Sequence, residues 1–250
     1  MDGQAADAVG VLRERRLGEK AQSDLHEDRS EASGPAKMVD ARGGMVGNGV
    51  PAAACRVVDQ AGAGVLDEIR SPGCAAAIWR RELPSDFQAW IDALEPDSLP
   101  DVRIVVSPNA VHDALCSLFD EQGVPASDGR ARLARDAAEL AGHFGWIMKT
   151  KAVRLRLDVI GDNACRKFHL DNVAARLLCT YRGRGTQYGR ACSGADPSVI
   201  HELPTGAVGL FRGALWPSSE GTGIVHRSPP ISGSGETRLL LVIDPVTDVS

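Results

Sequence analysis

The sequence predicts an α+β protein in which a group of helices precedes a β-rich core. Between about residue 85 and residue 148, apolar side chains recur with the period of a helix, roughly 3.6 residues. After Lys149 the apolar residues alternate with polar ones, which is the period of strands. Glycines and prolines then separate the apolar runs, with no helical segment between them. Strands joined by short turns favour an antiparallel sandwich or barrel.

The amino-terminal region differs in composition from the rest of the chain. Residues 1–50 are rich in Gly, Ala, Ser and charge, and they hold few large apolar side chains. Such a segment buries too little surface to offset its ordering entropy, so the sequence predicts a disordered leader. Residues 51–250 should form a single domain, with a helical layer at about 85–148 and a β-rich metal-binding core at about 151–245.

Three helices are predicted in the helical layer. Residues 85–88 read Ser-Asp-Phe-Gln, which is capping-box spacing, and an apolar stripe follows them. A second helix should begin near Asn109 and a third near Asp128. The run at 102–106 fits either a short strand or a linker, and the run at 74–79 fits either a strand or a short helix.

Four strands are predicted in the β-rich core. Between 153 and 159, Val and Leu alternate with Arg and Asp, as in a strand with one buried face. Further strands are expected at 176–181, 206–211 and 237–244. The run at 239–243 is entirely apolar, so the strand that contains it should be buried on both faces.

Composition excludes several classes of function. The formal net charge of −5 provides no basic footprint, so we expect no nucleic-acid partner. The 6 cysteines include no Cys-x-x-Cys pair, which favours reduced, buried thiols. The first residues lack a signal peptide, and no run approaches the roughly 18 apolar residues of a membrane span. We therefore expect a cytoplasmic protein without a membrane partner.

One group of residues carries recognisable chemistry. His169 and Asp171 are two residues apart, so at the end of a strand their side chains would share a face. His226 lies far enough along the chain for several short strands and a return. Two imidazoles and one carboxylate can bind a divalent metal on one side and leave its other positions open. These donors suit iron(II), although zinc, manganese or nickel would also accept them.

Arg238 extends this group. It follows His226 after a loop that contains prolines and glycines, and it begins an apolar strand. Its guanidinium could bind a carboxylate through two parallel hydrogen bonds. A buried arginine needs such a partner, and Arg238 should share one strand face with Leu240 and Val242.

These residues carry a resemblance to known proteins. Residues 164–171 (ACRKFHLD), 176–183 (RLLCTYRG) and 226–230 (HRSPP) resemble the bacterial domain-of-unknown-function family 1826, over about 75–245. Some of its members are associated with zinc-responsive gene neighbourhoods, which implies a role in metal homeostasis. The His-x-Asp pair, the distal His and the following basic residue are also similar to the iron(II)- and 2-oxoglutarate-dependent dioxygenase superfamily. That resemblance implies a double-stranded β-helix core of the jelly-roll or cupin type.

The resemblance also implies roles for single residues. His169, Asp171 and His226 would be the metal ligands, and Arg238 would bind the distal carboxylate of 2-oxoglutarate. The superfamily often has Arg-x-Ser in its last strand, whereas Arg238 is followed by two leucines. The second contact with the co-substrate is therefore missing or supplied elsewhere.

Three hypotheses follow. The leading one is hydroxylation of an unknown small-molecule or peptide substrate with iron(II) and 2-oxoglutarate, with no catalytic residue beyond the metal centre. The alternative is a non-catalytic divalent-metal-binding protein in metal homeostasis, with zinc as its metal. The third is a cupin-like structural domain with a vestigial pocket. Among other residues, His201 could be a spare ligand, and Cys165 and Cys179 are interpreted as buried structural thiols rather than zinc ligands.

Overall fold

The computed structural model describes residues 12–13, 53–163, 165–193 and 195–246. The leader predicted at 1–50 lies outside these residues, apart from a two-residue strand. None of the described helices is long and apolar enough to cross a membrane.

The α-helices are α1 (Ser85–Ala93), α2 (Val111–Glu121) and α3 (Asp128–Met148). The strands are β1 (Leu12–Arg13), β2 (Arg56–Gln60), β3 (Cys74–Trp79), β4 (Val102–Val106), β5 (Val153–Ile160), β6 (Ala175–Arg182), β7 (Gln187–Arg190), β8 (His201–Glu202), β9 (Val208–Arg212), β10 (Ile224–Arg227) and β11 (Arg238–Pro245).

The strands form two sheets. The large sheet has 8 strands in the order β1-β4-β5-β11-β6-β9-β3-β2, and the small sheet has 3 in the order β10-β7-β8. Neighbouring strands are antiparallel, except for the parallel pair β2 and β3. The protein is thus an α+β protein with a large antiparallel sheet, consistent with a cupin-like double-stranded β-helix. The large sheet also uses β2, β3 and β4, so it extends beyond the predicted range of about 151–245.

The central strand β11 shows how the two faces of the large sheet differ. Leu239, Leu241 and Ile243 belong to one apolar cluster together with buried side chains of α1, α2 and α3. Leu240 and Val242 point the other way, into a second cluster shared with the small sheet. β11 is therefore buried on both faces, as its unbroken apolar run predicts. Below, the first side is called the helix face and the second the inner face.

Local sequence explains most element boundaries and a few departures. The run at 74–79 and the run at 102–106 are both strands. Helix α3 begins after Ser127, whose side chain accepts a hydrogen bond from the backbone N–H of Arg130. The predicted capping box of α1 is wrong, because Pro84 occupies the cap position and Ser85 lies within the first turn. The strands β7 and β10, which carry the small sheet, were not predicted.

Candidate metal centre

The two histidines predicted as metal ligands lie side by side. The backbones of His169 and His226 form an antiparallel bridge, with N–H to O distances of 3.0 and 3.1 Å. Their ring centres are 4.9 Å apart. His226 lies on β10, whereas His169 forms only this single bridge and Asp171 lies outside the strands. The expected strand context of His-x-Asp is therefore reduced to one bridged residue.

Asp171 completes a compact group of three possible ligands. Its Oδ2 lies 3.0 Å from Nε2 of His226, and its Oδ1 lies 3.5 Å from Nε2 of His169. One ligand atom from each of the three residues lies within 4.8 Å of the other two. Asp171 and His226 are buried, while His169 is partly exposed and leaves one side of the group open. The structure thus brings together the three residues that the sequence singles out.

Two buried polar atoms of this group lack hydrogen-bond partners among the described residues. They are Oδ2 of Asp171 and Nδ1 of His226. The close contact between Oδ2 and Nε2 of His226 does not have the alignment of a hydrogen bond. Buried polar atoms are almost always satisfied, and an unsatisfied one indicates a ligand, an ion or a water. Two imidazole nitrogens and a carboxylate oxygen are suitable donors for a divalent metal, so the site fits one.

The electrostatics of the group favour an ionised carboxylate. Burial opposes the ionisation of Asp171, but the nearby His169 and His226 and the positive charge of Arg176 lower its pKa well below the ordinary range. The Asp171 carboxylate in turn raises the pKa of His169. Asp171 is therefore anionic at neutral pH, as a metal ligand must be.

Local contacts fix the orientation of the ligands. Nδ1 of His169 lies 2.9 Å from the carbonyl oxygen of Lys167, a contact that leaves Nε2 free to bind a metal. The carbonyl oxygen of Asp171 accepts a hydrogen bond of 2.8 Å from the N–H of Ala214. The neighbouring Gly213 packs so closely that a Cβ there would lie 2.0 Å from the carbonyl oxygen of Val173. A residue larger than glycine at 213 would therefore displace the backbone that carries Asp171.

A buried arginine that sequence reasoning missed lies behind Asp171. Arg176 on β6 donates from Nη1 to Oδ1 of Asp171. It also donates from Nε and Nη2 to the two oxygens of Asp244 on β11, at 2.7 and 2.9 Å. These carboxylates, together with the resulting hydrogen bonds, raise the pKa of Arg176 against the opposing effect of burial. No pattern in the sequence relates Arg176 to Asp171 or to Asp244, so this role was not predicted.

Arg238 is buried without an ion-pair partner among the described residues. Its exposed fraction is 0%. Its guanidinium donates to the carbonyl oxygen of Arg184 at 2.6 Å, to the hydroxyl of Ser228 at 3.1 Å and to the hydroxyl of Thr180 at 3.4 Å. Burial lowers the pKa of Arg238 to about 10, and the acidic Glu236 offsets this only in part. A buried cation held by hydroxyls and a carbonyl is a site that suits an anionic ligand.

The remaining candidates lie outside this group. His201 on β8 stacks on Tyr188, with ring centres 5.2 Å apart, and is not among the three clustered ligands. Cys179 is buried on the helix face, as expected. The expectation of a buried thiol is wrong for Cys165, which is exposed because it lies in the turn before His169.

Comparison with known proteins identifies a family for this chain. A family model described as "Protein of unknown function (DUF1826)" matches residues 60–244. A search of curated proteins gave no match.

Several solved structures are similar in fold. A dioxygenase for auxin oxidation from rice is 13% identical, with 76% of this chain and 82% of that chain covered and a TM-score of 0.44. The Arabidopsis thaliana dioxygenase for auxin oxidation 1, in a complex with 2-oxoglutarate, is 10% identical, with coverages of 78% and 94% and a TM-score of 0.45. A Pseudomonas putida prolyl-4-hydroxylase is 14% identical, with coverages of 73% and 92% and a TM-score of 0.37. These likenesses are weak, so the chemistry of this chain must be argued from its own residues.

Proposed function

Since the chain belongs to the family described as a protein of unknown function (DUF1826), which assigns no activity, we propose from the site itself that it is an iron(II)- and 2-oxoglutarate-dependent oxygenase. The observation that carries this proposal is a pair of incomplete sites. His169, Asp171 and His226 converge around a buried carboxylate oxygen that lacks a hydrogen bond. Arg238 is a buried cation without a counter-ion among the described residues. A metal would satisfy the first site and an anionic co-substrate the second.

The two incomplete sites are connected through one short segment. Ser228, which accepts a hydrogen bond from Arg238, is two residues after His226. Two residues of backbone span at most about 7 Å, so the two positions lie close together. A dicarboxylate of the length of 2-oxoglutarate can bridge such a spacing, with one end at the metal and the other at Arg238. A monocarboxylate of small size would not reach both.

Two hydroxyl groups supply the contact that the sequence seemed to lack. The serine expected two residues after Arg238 is absent, but the hydroxyls of Ser228 and Thr180 both lie against the guanidinium. A carboxylate bound by Arg238 could accept hydrogen bonds from either hydroxyl as well. The departure from the Arg-x-Ser pattern therefore does not count against an anionic co-substrate.

An apolar cluster lies on the same face of the sheet as the two sites. It joins side chains of both sheets, including Leu178, Leu240 and Val242 of the large sheet and Tyr188 and Ile224 of the small one. Its member Phe211 lies against His226, with ring centres 5.1 Å apart, and would limit the access of water to that side of the metal. His169 is the most exposed of the three ligands, so substrate would approach the metal from its side.

The residues of this chain would therefore bind and orient, while the cofactor would supply the redox chemistry. With iron(II) bound, the centre would couple the oxidation of 2-oxoglutarate by dioxygen, which yields succinate and carbon dioxide, to the hydroxylation of a C–H bond. Asp171 and the two histidines would hold the metal, and Arg238 would fix the co-substrate in one orientation. The substrate is a small molecule or a peptide that reaches the open side of the site.

The first test measures binding in the absence of oxygen. The full chain should bind one equivalent of iron(II) under anaerobic conditions, and 2-oxoglutarate should then bind to the metal-loaded protein, as measured by isothermal titration calorimetry. Asp171→Ala should lose metal binding, because the only carboxylate of the group is removed. His112→Ala is a control, since His112 is exposed on α2 and its ring hydrogen-bonds, within the described part of the chain, to Asp113 and Cys116.

A second variant separates the co-substrate site from the metal site. Arg238→Met should retain iron(II) and weaken 2-oxoglutarate binding by about 100-fold or more, because a buried charge pair is lost. Succinate formation after admission of oxygen should fall with it. If the protein instead retains zinc and binds no 2-oxoglutarate, the non-catalytic metal-binding alternative replaces the oxygenase.

A further inference from the structure

We propose that Arg176 and Asp244 form a positioning pair that makes Asp171 a one-oxygen metal ligand and so keeps coordination positions open for co-substrate and oxygen. This inference deepens the proposed function and depends on its metal centre. It concerns residues outside the three possible ligands, since among the described residues Asp244 is linked to Asp171 through Arg176. Neither residue is needed to explain metal binding as such.

The two oxygens of Asp171 are not equivalent. Oδ1 accepts a hydrogen bond from Nη1 of Arg176, whereas Oδ2 is buried and has no hydrogen bond among the described residues. A carboxylate with two free oxygens can bind a cation through both of them. The guanidinium of Arg176 engages one oxygen and leaves the other, which lies 3.0 Å from Nε2 of His226, as the donor. Asp171 would then occupy one coordination position instead of two.

Asp244 fixes Arg176 for this purpose. The pair makes two parallel hydrogen bonds, of 2.7 and 2.9 Å, which hold the guanidinium plane in one orientation. The side chain of Asp244 is 3% exposed, so solvent does not compete for it. Arg156 also lies near, with Nη2 at 3.8 Å from Oδ2 of Asp244, and adds positive charge beside that carboxylate. The remaining nitrogen of the guanidinium, Nη1, is thereby directed toward Asp171.

The pair also lies on two central strands of the large sheet. Arg176 is on β6 and Asp244 on β11, two adjacent central strands of the large sheet. A site that is supported by central strands holds its geometry better than one supported only by loops. Asp171 itself lies outside the strands, so this hydrogen bond ties a loop residue to the sheet. Metal affinity should therefore depend on residues far from it in sequence.

A purely structural ion pair is the competing explanation, and the chain contains a matched example. Arg81 and Asp136 also form two hydrogen bonds, of 2.6 and 2.7 Å, and their side chains are 13% and 15% exposed. Asp136 lies on α3, on the helix face, away from the three ligands. The two pairs should contribute to stability in similar ways, and only one should influence the metal.

The test uses cobalt(II), whose visible absorption spectrum responds to the number and arrangement of its ligands. Asp244→Asn should weaken cobalt(II) binding about 10- to 100-fold, the usual range for residues that orient metal ligands. The spectrum of the bound ion should also change, because Asp171 would no longer be restricted to one oxygen. Asp136→Asn should leave both the affinity and the spectrum at their wild-type values. Urea unfolding of both variants records the stability cost separately.

A second variant keeps the test decisive if Asp244→Asn does not fold. Arg176→Lys keeps the positive charge but cannot donate to both carboxylates in the same geometry, so it should show the same change in cobalt(II) affinity and spectrum. Wild-type affinity and spectrum in either folded variant would overturn the positioning role. Absence of cobalt(II) binding by the wild-type protein would instead overturn the proposed metal centre, so the two failures are distinguishable.

Discussion

Two groups of charged residues on opposite sides of the large sheet differ in how their polar atoms are satisfied. On the helix face, Arg81 donates two hydrogen bonds to Asp136, and the hydroxyl of Tyr181 donates a third, of 2.6 Å, to the same carboxylate. On the inner face, Arg238 has no ion pair among the described residues, and Asp171 keeps one oxygen without a hydrogen bond. Arg238 and Asp171 are buried, while the side chains of Arg81 and Asp136 are 13% and 15% exposed.

This difference distinguishes polar groups that stabilise the fold from polar groups that can bind a ligand. A fully paired buried network costs little to maintain and fixes one arrangement of the core. A partly satisfied network is expensive, and a fold that keeps one gains something other than stability. In the proposed function, the polar groups of the inner face that lack partners would bind a metal and an anion, whereas the paired groups of the helix face would only stabilise the fold. Variants that shift stability on one side and binding on the other would test this division.

The largest effect on stability should come from breaking the helix-face pair. Arg81→Met leaves the Asp136 carboxylate buried without its counter-ion, and such a loss destabilises a protein by about 3–5 kcal/mol. Urea unfolding followed by circular dichroism measures the free energy of unfolding. Metal affinity of the folded variant should not change.

The inner-face counterpart is Arg238→Met, which should change the free energy of unfolding by no more than about 1 kcal/mol. Its guanidinium has no carboxylate partner to leave behind, and burial already disfavours its charge. A loss as large as that of Arg81→Met would contradict the division between the two faces, because it would show that Arg238 stabilises the fold.

An intermediate effect is expected at the backbone that supports Asp171. In Gly213→Ala the new Cβ would lie 2.0 Å from the carbonyl oxygen of Val173 and 2.8 Å from that of Asp171, so the backbone must move. Overpacking of this kind costs about 1–3 kcal/mol. Because the strain falls on the ligand-bearing segment, metal affinity should fall as well. Loss of stability with unchanged cobalt(II) affinity would show that the segment adjusts without moving Asp171.

The sequence predicts the ligands better than their support. The His-x-Asp spacing of His169 and Asp171, the distance along the chain to His226 and the following Arg238 together predict a metal site. Arg176 and Asp244 are 68 residues apart, and no pattern in the chain relates them. Their pairing follows from the register of β6 against β11, which only the folded sheet reveals.

The length of an element explains why some helices and strands could be predicted from the sequence and others could not. Helix α3 spans 21 residues and β11 spans 8, so periodic burial is readable in both. The strands β7 and β10 have 4 residues each, and β7 includes Gly189. Both strands are too short for a period of burial to be recognised. They nevertheless form most of the small sheet, and β10 contains His226. The hydrogen bond from Arg238 to the hydroxyl of Ser228 was not predicted for a related reason, since it depends on how the start of β11 lies against the end of β10.

A small gain in stability is expected on the helix face. Gly142 lies within α3, and a Cβ placed there meets no atom within 4 Å. Alanine is the better helix former by about 0.8–1 kcal/mol, so Gly142→Ala should raise the free energy of unfolding by roughly that amount. The urea midpoint should increase while cobalt(II) affinity stays at the wild-type value. Weaker cobalt(II) binding in this variant would mean that the helices are coupled to the metal centre through the sheet, and the independence of the two faces would have to be abandoned.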